Sequence, residues 1–322
     1  VEAPQAASAD VRLEVSSERI IGYWTFALAA PFPTILDGVS SNALKQAWAG
    51  QDTPEFKSQP LLLSQATQSV LAAWWGEPAA GAVKLMPETE LSAYAWEHRQ
   101  DEPCAAPGIS TTVCSPVILP FQDLKPDWKA LQVDGSSPLQ KTFDPQTYPL
   151  NVPISLVASQ AENQSLLDQV ETSALTAAAS NRDPAKMTVV ALTGVTAMGR
   201  ATAWLMEQKG ILYPGQDVGP LLRSADITHI SNEVPFDPTC PKANPDEQAQ
   251  IVFCSPPSFL ELIEDMGADV IELDGDHMMD RGPEAFLYTI QLYQEHNLPY
   301  YGGGANLAEG SMPVKFEINS NK

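Results

Sequence analysis

Between Val270 and Gly282 the sequence reads VIELDGDHMMDRG, and Asp274, Asp276, His277 and Asp280 crowd this short stretch. Histidine beside carboxylates suits metal ligation or proton transfer. It equally suits an acidic, solvated loop whose histidine is satisfied by a neighbour, and these residues alone leave both readings open. Two upstream stretches add polar side chains of the same kind. TGVTAMGR carries Thr193 and Arg200, and SNEVPF carries Asn232 and Glu233.

Strands and helices must bring these residues together. Val270 to Leu273 reads as a short apolar strand running into the acidic loop. Pro283 then opens an amphipathic helix with Phe286, Leu287, Ile290 and Tyr293 on one face; proline suits the first turn because its missing N–H has no partner there. The β-branched run Met187–Leu192 and the stretch Asp226–Ser231 read as two further strands, each ending in the polar residues just named. Alternation of strands with helices predicts a parallel α/β sheet. The polar residues after its strands then share one edge, where ligands usually bind in such sheets.

TGVTAMGR, SNEVPF and GDHMMDRG–PEAFLYTIQLYQEHNLPYYGGGANLAEG together resemble the successive motifs of the CapA family of poly-γ-glutamate and capsule biosynthesis proteins. The likeness spans Thr188 to Gly310, with Asp280, Gly282, Thr289, Gly302, Gly304, Asn306 and Leu307 in family order. It implies a metallophosphoesterase-like fold and a site that is a metal-dependent hydrolase or transferase acting in exopolymer biosynthesis. The ligands implied for a divalent ion (Mn, Zn or Mg) are Glu233, Asp276 and His277. His277, Asp280 and Arg200 are the implied catalytic residues, with Arg200, Asn232 and Asn306 for substrate. Val195 stands where the family has its first metal-binding Asp and cannot ligate. The family's later histidine motifs are expected beyond residue 322, so the domain is expected to be incomplete at its C-terminus. The competing expectation is a non-catalytic module that binds a small anion or anionic polymer.

Upstream, Arg19–Pro33 reads as a buried strand and turn, Ser40-Ser41-Asn42 as the cap of a helix, and Gln65–Trp75 as a helix whose tryptophans pack in a core. Leu91–Trp96 alternates in a strand-like way, and Asn163–Ala179 reads as a helix of strong formers. The order of these elements, with LPFQDLKPDWKALQVDGSSPLQKTFDPQTYPLNVPISL, resembles a lobe of type II periplasmic phosphate/solute-binding proteins. In such a lobe, Ser40-Ser41-Asn42 and Ser136-Ser137 would meet an anion. The expected fold is therefore α/β throughout: a solute-binding-like domain over residues 1–158, a helix and linker over 159–186, and the CapA-like domain over 187–322.

Composition narrows the partners. A net charge of −22 argues against nucleic acid, which needs basic patches. Cys104 with Cys114, and Cys240 with Cys254, lack the spacing of a zinc ribbon or redox motif. They suit two disulfides in Pro-rich loops, each worth roughly 3 kcal/mol by loop closure. Paired cysteines favour an extracytoplasmic place. Val1-Glu2-Ala3-Pro4 reads as a polar tether left after a leader that would deliver the chain to the exterior or attach it to the cell envelope.

Overall fold

The computed structural model describes residues 9–57, 59–101, 111–170, 175, 179–245 and 251–322. The chain divides into two units, Val1–Asp183 and Pro184–Lys322. Both mix strands and helices, so the α/β class expected from the sequence is the observed one.

In the first unit the strands are β1 (Val11–Val15), β2 (Ile20–Pro31), β3 (Gly38–Val39), β4 (Leu61–Leu63), β5 (Val83–Leu85), β6 (Val117–Pro120), β7 (Trp128–Val133) and β8 (Asn151–Ala158). They form one sheet ordered β1-β8-β2-β6-β4-β5, with β7 pairing with both β2 and β3. The apolar run of β2 explains its central place: Phe26 to Ala30 are all buried. Helices α1 (Ser41–Trp48), α2 (Gln65–Trp75) and α3 (Glu88–Glu97) accompany the sheet. Ser40 and Ser64 cap the first two, accepting from the backbone N–H groups of Ala43 and Thr67. Trp75 packs edge-on against Trp48 at 5.5 Å. Trp74, also expected in the core, is 38% exposed.

One expectation fails here and another holds only in part. Leu91–Trp96 is not extended but lies in α3, because Leu91 and Ala95, four apart, are the buried pair. Of the helix expected over 163–179, the first part is a 3-10 helix over Ala161–Gln169 with no side-chain cap, while Leu175 is helical and its carbonyl accepts from the Ala179 N–H at 2.9 Å. Part of that stretch lies outside the described residues.

The second unit runs β9 (Val190–Thr196), α4 (Arg200–Lys209), α5 (Gly219–Arg223), β10 (Ile227–Asn232), α6 (Leu260–Asp265), β11 (Val270–Glu272), α7 (Gly282–Glu295), β12 (Tyr300–Tyr301) and α8 (Leu307–Gly310). The sheet order is β12-β11-β10-β9 and every pairing is parallel. The helices cover one face through Met206, Ile263, Ile290 and Tyr293, which pack on Ile230 and Ile271. The expected end of the first strand at Leu192 is corrected. β9 continues through Gly194 to Thr196, and a register shift opposite His229/Ser231 takes up the irregularity.

Candidate metal centre at the carboxyl edge of the sheet

Parallel pairing puts the carboxyl ends of β9, β10 and β11 side by side. Glu233 follows β10 directly, and its backbone N–H donates to Thr196 O at the end of β9 (3.1 Å). The loop after β11 then crosses Glu233. It can do so because Gly275 has no side chain; a Cβ there would stand 2.8 Å from Glu233 Cα and from its carbonyl oxygen. This approach delivers Asp276 and His277. One ligand atom from each of Glu233, Asp276 and His277 lies within 4.8 Å of the others.

The electrostatics agree with a cation-seeking site. Partial burial, then a hydrogen bond and repulsion from the Asp276 carboxyl, push the Glu233 carboxyl above its ordinary value; His277 opposes the shift. Two carboxylates so placed repel unless a proton or a cation lies between them. Two carboxylate oxygens and one imidazole form a donor set that fits a hard or borderline divalent ion.

His277 is fixed from one side. Its Nδ1 lies 2.7 Å from Asp280 Oδ2. The same Asp280 oxygen accepts from the Phe253 backbone N–H at 2.7 Å. Asp280 is part of a turn that leads into α7, with its own N–H bonded to His277 O. Arg281, next in sequence, is held by Asp237 at 2.8 Å.

The other expected residues take different places. Arg200 is the first residue of α4, with a left-handed φ of 48° that a non-glycine residue seldom adopts. Its exposed guanidinium lies 4.5 Å over the Phe253 ring, beside a cavity of about 60 Å³ that Lys242 and Cys254 also line. Asn232, expected to meet substrate, is instead fully buried. Its amide nitrogen donates to Val234 O and to the Tyr293 hydroxyl, at 2.8 and 2.9 Å; the side chain points into the core because it falls on the buried parity of β10. Asn306 caps α8, accepting from Glu309 N–H at 3.1 Å. Val195 is 69% exposed on β9, paired with Ser231, and offers no ligand. Phe253 and Gly275 escaped the sequence reading; the GD pair before His277 was the available signal for Gly275.

Cys240 and Cys254 form the expected disulfide. Cys114 is also disulfide-bonded, and Cys104 lies outside the described residues. In the first unit, the turn expected to meet an anion is filled from within. Ser41 N–H donates to Asp134 Oδ1 at 2.9 Å, and the Ser41 hydroxyl and N–H hold the Asp134 carboxyl below its ordinary value. Ser136 pairs back with Val133 and Ser137 is buried.

Residues 189–322 match the family model described as bacterial capsule synthesis protein PGA_cap. A capsule biosynthesis protein CapA of Bacillus anthracis is 24% identical over 139 residues, covering 43% of this chain and 34% of the relative. The chain thus spans about a third of that relative's length. Among solved structures, an ABC-type phosphate transport receptor from Vibrio cholerae aligns at 11% identity and a TM-score of 0.35, over 52% of this chain and 70% of that one. A putative phosphate ABC transporter substrate-binding protein from Clostridium perfringens, with bound phosphate, aligns at 12% identity and a TM-score of 0.29, over 52% and 71%. At those scores neither alignment carries a functional argument.

Proposed function

We propose that this chain, whose residues 189–322 match the bacterial capsule synthesis family PGA_cap, acts in building or attaching an anionic exopolymer such as poly-γ-glutamate, through a divalent-metal site made by Glu233, Asp276 and His277. The observation that carries the reading is the convergence of those three ligand atoms within 4.8 Å. When bound, the ion would polarise a substrate oxygen or lower the pKa of a bound water. The chain's own residues supply the rest. Asp280 fixes the His277 ring through Nδ1 and leaves Nε2 for a ligand or a proton. Arg200 receives an anionic group of the substrate through its planar fork of donors. The reaction class is hydrolysis or transfer at such a group. The disulfide and the capsule relative support a place outside the cytoplasm. Among the described residues no helix is long and apolar enough to cross a membrane.

A second reading, a binding module for a small anion or anionic polymer, is favoured by Val195, which gives the site one ligand fewer than the family pattern implies. One experiment separates the two. The protein is loaded with Mn²⁺ or Zn²⁺, and its metal content and hydrolysis of p-nitrophenyl phosphate esters are measured. Stoichiometric metal that Glu233→Ala and His277→Ala both lose supports the metal centre. No metal uptake, with thermal stabilisation by phosphate or glutamate, supports the binding module.

A further inference from the structure

We propose that Phe253 is a positioning residue of the Glu233–Asp276–His277 site, and that the Cys240–Cys254 bond holds it there. The inference rests on the metal-centre reading and deepens it. Three contacts converge on this one residue. Its ring meets the His277 imidazole edge-on, with centroids 4.4 Å apart and planes at 61°. The Arg200 guanidinium lies 4.5 Å from the same ring. Its backbone N–H donates to Asp280 Oδ2, the oxygen that also holds His277 Nδ1. Phe253 thus touches a residue that follows β9 and two that follow β11, and sets their spacing.

Core packing does not account for it. Phe253 is only half-buried and is absent from the apolar cluster of its unit, while Ile251 and Val252 before it are exposed at 67% and 50%. What fixes it comes after it. Cys254 is bonded to Cys240. Ser255 donates to Pro235 O through its N–H and to Met198 O through its hydroxyl, and its own carbonyl accepts from Asp237 N–H. Cys240 N–H in turn donates to Asp237 O, and Asp237 holds Arg281. The disulfide closes a frame around the site. Aromatic contact then does two things inside that frame. The ring face attracts the guanidinium, and the ring blocks the imidazole from turning away from Asp280.

The test compares Phe253→Leu, Phe253→Met, Phe253→Tyr and a Cys240→Ser/Cys254→Ser double variant with the wild-type chain. Two readouts avoid any dependence on turnover: the rate at which diethyl pyrocarbonate modifies His277, with the exposed His296 as internal reference, and Mn²⁺ affinity by calorimetry. Loss of a residue that orients a ligand typically weakens metal binding by about tenfold or more. Phe253→Leu and the double variant are expected to show that loss together with faster His277 modification, Phe253→Tyr to match the wild type, and circular dichroism to stay unchanged. Phe253→Met keeps a flexible apolar side chain without a ring, and separates loss of aromatic contact from loss of fold. Wild-type modification rates for His277 in Phe253→Leu, Phe253→Met and the double variant would overturn the proposal. A wild-type chain that takes up no Mn²⁺ would overturn the metal centre instead, and protection of His277 would still decide for or against Phe253.

Discussion

The backbone of Gly275 lies directly on the backbone of Glu233, so closely that a methyl group at 275 would stand 2.8 Å from Glu233 Cα. This contact lets a loop from β11 and the end of β10 share one site. Gly275→Ala has no flexible side chain to push aside and must shift one strand end. Overpacking of this kind typically costs about 1–3 kcal/mol. The expected outcome is a lowered urea midpoint with a larger loss of Mn²⁺ affinity than the stability change explains. Unaltered Mn²⁺ binding in a folded Gly275→Ala protein would contradict the assigned geometry.

Asn232 and Tyr293 form a buried polar pair between β10 and α7, at 2.9 Å. Asn232→Ala removes both donor bonds and leaves the Val234 carbonyl and the Tyr293 hydroxyl without that partner. Stranding buried polar groups costs about 1–3 kcal/mol. We expect destabilisation of that size in denaturant titration, with binding of small anions lost only as far as the fold is lost. A selective loss of anion binding at full stability would restore Asn232 to the site.

Asp237 gives a pH dependence with a defined sign. Burial alone would raise its carboxyl, but the hydrogen bonds from Arg281 and from Thr239 outweigh burial and hold it below the ordinary 3.8. A depressed carboxylate contributes stability above its unfolded value, and that contribution is lost as pH falls through the folded value. Asp237→Asn should therefore lower stability at pH 7, by about 1.5–3 kcal/mol for charge-assisted bonds. The gap between variant and wild type should close as pH falls below 3.8. Urea unfolding at pH 7 and pH 3 measures both halves of the claim.

Ser40 caps α1 with its side chain, and Asp134 occupies the adjoining backbone N–H of Ser41. Ser40→Ala should cost about 1 kcal/mol, the usual worth of such a cap. Thermal unfolding should show the loss equally with and without added phosphate, since a carboxylate of the protein already fills that helix end. Rescue of the variant by phosphate would show an anion site that Asp134 does not close.

Much of the second unit was legible before any coordinates. Alternation of apolar runs with amphipathic stretches identified its strands and helices, and the gathering of Glu233, Asp276, His277 and Asp280 at one sheet edge followed from their places after those strands. The Cys240–Cys254 pair was legible as well, because loop length and proline content left few other uses for it. Parity along a strand was harder to read. Asn232 and Glu233 are neighbours in sequence, yet one is buried and the other lines the site, because successive side chains of a strand take opposite faces. Tertiary structure alone decided which distant segments meet. Gly275 against Glu233, Phe253 between Arg200 and His277, and Asp134 at the head of α1 are contacts between parts of the chain that no local pattern relates. Sequence periodicity records which face of an element is apolar, whereas the partner on that face is chosen by the packing of the whole unit.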